Sequence, residues 1–261
     1  MAGLRRFGTG FLAGAALAAA VLPAGPARGQ QAPAFGASGD WDGLRTRLYD
    51  RGLDFQIQGL AEGAYNPTGG VRQSATSAEQ FNFGRTADLG KLAGLTGGTA
   101  QLMITKRDGA NVDTSAGLPV LQQNQEIWGR GNIWRLTELS YEQELFDQVL
   151  DLKAGRVTPG DDFDILSCDF QNMTFCNAPA GNIEGDYRFD SPVGQWGARV
   201  QVNLPGSTFA KGGVYQISQR NLVHGFDLSF GGGEGVLSCF EVGWTPSLGR
   251  SQLPGLHTIG G

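Results

Sequence analysis

The sequence predicts an all-β protein: an antiparallel up-and-down β-barrel that crosses a membrane with its strands, preceded by a short N-terminal helix. Three observations carry that prediction. Residues 195–218 read QWGARVQVNLPGSTFAKGGVYQIS, in which Trp196, Ala198, Val200, Val202 and Leu204 alternate with Gln195, Gly197, Arg199, Gln201 and Asn203 before a Pro-Gly-Ser turn. That period of two gives a strand one apolar and one polar face. Glycine supplies 42 of 261 residues and charged residues only 17%; against a usual glycine share of ~7%, such a composition suits tight turns and is too costly in entropy for a helical protein. Short turns and long loops alternate along the chain, as they do where one end of a barrel carries turns and the other carries loops.

The elements follow in order. Arg5 and Arg6 precede an apolar, alanine-rich stretch at residues 11–22, and Ala27-Arg28-Gly29 offers small residues before Gln30. This is the layout of an export signal covering residues 1–29, and its apolar run is shorter than the ~20 residues a spanning helix needs. Its removal takes away Arg5, Arg6 and Arg28 and no acid, moving the formal net charge from −5 to −8. Such an acidic balance argues against a nucleic-acid partner. No later stretch approaches 18 consecutive apolar residues, so helical spans are excluded, whereas barrel strands need only ~9 to 11 residues of alternation.

Residues 30–53 form an N-terminal segment. Within DWDGLRTRLYDRGLDF, Asp40 or Asp42 caps a short helix bearing Trp41, Leu44 and Leu48 on one side, and Gly52 ends it. Residues 54–261 read as barrel. Phe55, Ile57, Gly59, Ala61, Gly63 and Tyr65 alternate with Gln56, Gln58, Leu60 and Glu62 until Asn66-Pro67 breaks the run. Strands at 80–89 and 99–107 are joined by the glycine-rich turn GKLAGLTGG, and residues 108–131, which lack a period, form a long loop. Strands at 134–144 and 150–158 make a hairpin around Phe146-Asp147-Gln148, and residues 159–190 are a second long excursion. After the 195–218 hairpin come a glycine-rich connection at 220–234, a strand at 235–244, and a strand cut short at 256–261. The total is about eight strands and the start of a ninth.

Chemical signatures narrow the function. Cys168 and Cys176, separated by DFQNMTF, are the natural disulfide pair of an exported chain, tying down the second excursion, while Cys239 reads as a packed small residue. No third cysteine or histidine lies near that pair, so a metal site is not expected. His224 and His257 are the only histidines, and no HExxH, GxSxG or P-loop pattern occurs. An acidic run, GDDFD at 160–164, reads as a solvated loop rather than a calcium site, since it lacks the length and spacing of an EF-hand. No enzyme activity and no cofactor are expected. Two alternatives stay open: a soluble exported β-sandwich that binds sugars, its apolar faces buried against one another, and a secreted glycoside hydrolase using two of Glu138, Glu142, Asp161 and Asp162.

A channel fits the alternation better. Parity places Gln56, Gln58, Glu62, Glu138, Ser140, Glu142, Arg199, Gln201 and Asn203 on a wet inner face, and Ile57, Leu139, Tyr141, Ala198, Val200 and Val202 on a lipid face. Together GDWDGLRTRLYDRGLDF, LTELSYEQELFDQVLDLKAGRVTPGDDF, CDFQNMTFC, WGARVQVNLPGSTFAKGGVYQIS and LPGLHTIGG resemble the OprB-type carbohydrate-selective porins of Gram-negative outer membranes. The resemblance implies an outer-membrane location, about sixteen strands, a homotrimer when full length, and passive diffusion of monosaccharides such as glucose. It also implies an eyelet of charged and aromatic groups, assigned by position to Glu138, Arg156 and Arg199, with Asp161 and Asp162 on the entering loop and Gln201 on the wall. Arg156 shares the parity of Leu150 and Leu152, so it enters the lumen only past a strand end or at a bulge. Against about sixteen strands, eight or nine leave an open edge, which is costly in lipid; the expectation is a truncated or split member of the family.

Overall fold

The computed structural model describes residues 38–120, 123–163, 189–248 and 253–261. The expected export signal and the Cys168–Cys176 pair lie outside them. Helix α1 (Leu44–Asp50) is where the sequence places it. Gly43 occupies its N-cap position, and Asp40 supplies the capping oxygen, its Oδ1 accepting from the Thr46 amide at 2.8 Å and hydroxyl at 3.0 Å. Gly52 closes the helix with φ +97°, and a Cβ there would stand 2.8 Å from the Asp88 carbonyl. That position needs glycine twice over, for its left-handed backbone and for the close approach.

Strands β1 (Leu53–Asn66), β2 (Ser74–Asp88), β3 (Gly98–Gly109), β4 (Trp134–Leu145), β5 (Leu150–Val157), β6 (Gln195–Leu204), β7 (Thr208–Ile217) and β8 (Gly235–Trp244) pair in chain order. Every neighbouring pair is antiparallel. A short ribbon of β9 (Ser247–Leu248) and β10 (Leu253–Pro254) follows, and β11 (His257–Gly260) then pairs with β8. Among the described residues this gives a nine-stranded sheet, the eight strands and partial ninth that alternation predicts. The connections hold short helices that periodicity does not reveal. Helix α2 (Leu89–Ala93) lies in the β2–β3 turn, capped by Asp88 and ended by Gly94, and α3 (Val112–Ala116), capped by Asn111, lies in the β3–β4 loop. Helix α4 (Pro159–Asp162) follows β5 and α5 (Arg220–Val223) follows β7. Among the described residues no helix is long and apolar enough to cross a membrane.

The two faces differ as the alternation requires. Leu152 stands opposite Val200 on one face, and the next pair, Lys153 opposite Arg199, points the other way. The apolar face is open: Val214 is 51% exposed, Val242 56% and Phe240 62%. A soluble sandwich would bury such residues against a second sheet, so the sandwich alternative is set aside. Among the described residues, the other face carries small hydrophobic clusters where connections fold back onto it, Val157 with Phe163 and Tyr215, and Phe189 with Val193 and Ile217.

One irregularity matters for the site. The β3–β4 register slips between Met103 and Ile104, which face Glu138 and Leu136, leaving Thr137 as the extra residue. A bulge of this kind shifts parity by one. It lets Arg135, opposite Thr105, share a face with Glu138, opposite Met103, and it brings the Thr137 hydroxyl 2.8 Å from that of Thr105.

Candidate functional site

The polar face of β4–β8 forms a continuous charged wall. Lys153 on β5 sends Nζ to Glu138 on β4 at 3.1 Å and to Asp162 of α4 at 3.4 Å. Arg199 on β6 binds three acids: Glu142 at 2.5 Å, Asp151 at 2.9 Å and Asp162 at 3.3 Å. Lys211 on β7 meets Glu241 on β8 at 3.0 Å. Neutral groups continue the wall. Ser140 donates to Glu138 at 2.7 Å, Arg199 to Gln201 at 3.3 Å, and Gln201 to Asn203 at 2.8 Å. Charges taken out of bulk water are costly unless each finds a partner, and here carboxylates and cations are interleaved so that each has one.

Two connections lie on this face. The α4 turn reaches the wall through Asp162, while the β3–β4 loop lies over β1 and β2. There Gln125, only 1% exposed, accepts through Oε1 from Thr76 Oγ1 at 2.9 Å and Val112 N at 2.7 Å, and donates through Nε2 to the Glu62 carbonyl at 2.9 Å. The Glu62 carboxylate accepts from the Ile127 amide at 3.1 Å. Beside it, burial pushes the Glu126 carboxyl up to about 7; Arg107 opposes that rise, and Glu62 and Asp190 add to it.

Glu138, Arg199, Gln201 and Asp162 therefore come together, with Asp161 next to them in the chain and its carboxylate accepting from Thr158 Oγ1 at 2.5 Å. Arg156 does not join them. It pairs with Leu139 and Trp196 in the ladder and so keeps the apolar parity of its neighbours. The residues between β7 and β8 fold over it there. Its Nε donates to the Leu136 carbonyl at 3.3 Å, Nη2 to Asn221 Oδ1 at 3.2 Å, and Nη1 to the Asp227 carbonyl. Arg156 is thus a buried brace for the β7–β8 connection, and its assignment to the eyelet is corrected. Trp196 is partly covered by the same connection, stacking on Phe230 with centroids 4.3 Å apart. The sequence reading missed Asp151, Lys153, Lys211, Tyr215 and Glu241, although strict alternation carried through LDLKAG, TFAKGGVY and CFEVGW places them with their charged neighbours.

The family model described as carbohydrate-selective porin, OprB family, matches residues 72–261. The chain belongs to the OprB family. It is 38% identical over 232 residues to Porin B of Pseudomonas aeruginosa PAO1, a match covering 85% of this chain and 51% of that relative. The high-pH structure of Pseudomonas putida OprB superposes with a TM-score of 0.80 at 37% identity, covering 85% of this chain and 54% of that one. The low-pH structure of the same OprB gives 0.56 at 27% identity, covering 88% and 61%. The chain spans about half the length of the curated relatives it matches.

OprB porins are outer-membrane β-barrels of Gram-negative bacteria and are not enzymes. Outer-membrane barrels turn an apolar strand face to lipid and a polar face to the lumen; on this sheet Leu152, Val200, Val214 and Phe240 share the apolar face, and Glu138, Lys153 and Arg199 the polar one. Of the four carboxylates a hydrolase could use, Glu138, Glu142 and Asp162 each pair with a cation.

Proposed function

We propose that the protein conducts neutral monosaccharides such as glucose across the outer membrane by passive diffusion along the charged wall, with no cofactor and no covalent step. The interleaving of Glu138, Lys153, Glu142 and Arg199 on adjacent strands supports this reading most strongly. A sugar hydroxyl both donates and accepts, so it can exchange one weak hydrogen bond for the next along such a wall and still leave. A small ion of either sign meets attraction and repulsion within one strand spacing. Glu138, Gln201 and Asp161 are the proposed sugar contacts, and Arg199 holds the acids of the wall in place.

The test is entry into liposomes carrying the reconstituted protein, comparing glucose with gluconate, an anion of similar size. Faster glucose entry is expected. Equal rates would leave a general pore and remove sugar selectivity.

A further inference from the structure

Helix α4 leaves the end of β5 and turns back over the lumen wall, and one residue ties it to three strands. Asp162 is 7% exposed. Its Oδ1 lies 3.4 Å from Lys153 Nζ on β5 and 3.3 Å from Arg199 Nε on β6, and its Oδ2 accepts from the Tyr215 hydroxyl on β7 at 3.1 Å. Its backbone carbonyl accepts from Lys211 Nζ, also on β7. Phe163, next in the chain, is 3% exposed; it meets the Tyr215 ring edge-on at 6.1 Å and lies 5.2 Å from the Lys211 ammonium.

These contacts have two consequences. Both carboxylate oxygens are engaged and almost no surface is left to solvent, so a sugar hydroxyl could reach Asp162 only by displacing a charge-assisted bond. The same contacts fix how closely α4 lies against β5, β6 and β7, and that distance sets how much of the lumen the turn occupies. Without the carboxylate, Lys153 and Arg199 lose the partner they share, and of the charged contacts that draw α4 to the wall the Lys211 bond to the Asp162 backbone carbonyl is left.

We propose that Asp162 is a positioning residue, a latch that holds α4 against β5–β7 and so sets the width of the passage and excludes larger saccharides. The inference rests on the reading of the chain as a sugar channel and assigns size selection within it to Asp162, while sugar contact falls to Glu138, Gln201 and the solvent-facing Asp161.

Salt conductance in planar bilayers reads passage width whatever the sugar preference, and liposome entry of glucose against maltotriose reads the size limit. The variants are Asp162→Asn, Asp162→Glu and Tyr215→Phe, each checked for a folded barrel by its heat-shifted mobility in detergent gels. Asp162→Asn is expected to raise conductance by about twofold and admit maltotriose, since pore diameter governs both. Asp162→Glu restores much of the parent behaviour, and Tyr215→Phe, which removes one hydrogen bond and no charge, gives a smaller rise. A folded Asp162→Asn protein with parental conductance and parental maltotriose exclusion overturns the latch. So does one whose glucose entry falls at unchanged conductance, because Asp162 would then be a sugar contact. Should Asp162→Asn not fold, unchanged conductance in Tyr215→Phe overturns it instead. Failure of the sugar reading shows separately, as equal glucose and gluconate entry through the parent protein.

Discussion

Over β1 and β2, the β3–β4 loop is clasped to the sheet at Gln125 by an uncharged amide, whereas over β5–β7 the α4 turn is held by ions. Gln125 makes its three hydrogen bonds at 2.7 to 2.9 Å in a site that water hardly reaches. Asp162 is held by the ends of long side chains, with Lys153 and Arg199 at 3.3 to 3.4 Å. A buried neutral clasp is short-ranged and directional, so it fixes one geometry; an ionic one tolerates small displacements because Coulomb attraction falls off slowly with distance. The clasp over β1 and β2 therefore depends on hydrogen-bond geometry, and the one over β5–β7 on charge balance.

The comparison is broken most severely at Arg199. Arg199→Met leaves Glu142, Asp151 and Asp162 facing one another without their shared cation. Removing one partner from a buried ionic cluster costs about 3–5 kcal/mol. Urea unfolding of the protein in lipid vesicles should show a loss of this size, partly recovered by Arg199→Lys, which keeps the charge but cannot serve three carboxylates with a planar fork. A loss below about 1 kcal/mol would mean that the cluster behaves as an exposed surface pair.

Next in size is the neutral side. Gln125→Leu preserves volume but strands the Val112 amide, the Thr76 hydroxyl and the Glu62 carbonyl. Buried groups left without partners cost about 1–3 kcal/mol each, and local rearrangement recovers part of it, so a net loss of about 2–3 kcal/mol is expected. The two variants should separate in salt. Added salt should change the stability gap between parent and Arg199→Met and leave the gap for Gln125→Leu unchanged, since no charge is lost at position 125. Equal salt responses would erase the distinction between the two sides.

The two regions also differed in how far the sequence revealed them. Alternation alone placed Glu138, Glu142, Arg199 and Gln201 on one face, because a period of two is a local property of each strand. Which of them touch is not local. Arg199 lies opposite Lys153 yet bonds Glu142 one strand further on, and the β4 bulge at Thr137 moves Arg135 onto the face of Glu138. Register and a bulge are set by pairing across the sheet, which no single strand encodes. Arg156 shows the reverse: its own parity with Leu150 and Leu152 was legible and correct, and the family-based placement in the eyelet ran against it. The Gln125 clasp was invisible, since residues 108–131 have no period and their anchor is a glutamine like several around it.

The smallest expected effect sharpens the neutral side through a shifted carboxyl beside its clasp. Glu126 adjoins Gln125, and burial, only partly offset by Arg107, pushes its carboxyl from an ordinary 4.5 up to about 7. Between those values the unfolded chain has lost this proton and the folded protein keeps it, so the folded state binds more protons. Stability then falls as pH rises from about 4.5 to about 7 and levels off above, the opposite direction to a carboxylate held by a cation. Glu126 is only partly buried, and solvent screening trims the effect to about 1 kcal/mol. Urea midpoints at pH 5 and pH 8 should differ in that sense for the parent and coincide, apart from the background shared by both proteins, for Glu126→Gln. A variant with the full parental difference would place the titrating group elsewhere; one with no difference would tie the pH response of the neutral side to a single carboxyl beside its clasp.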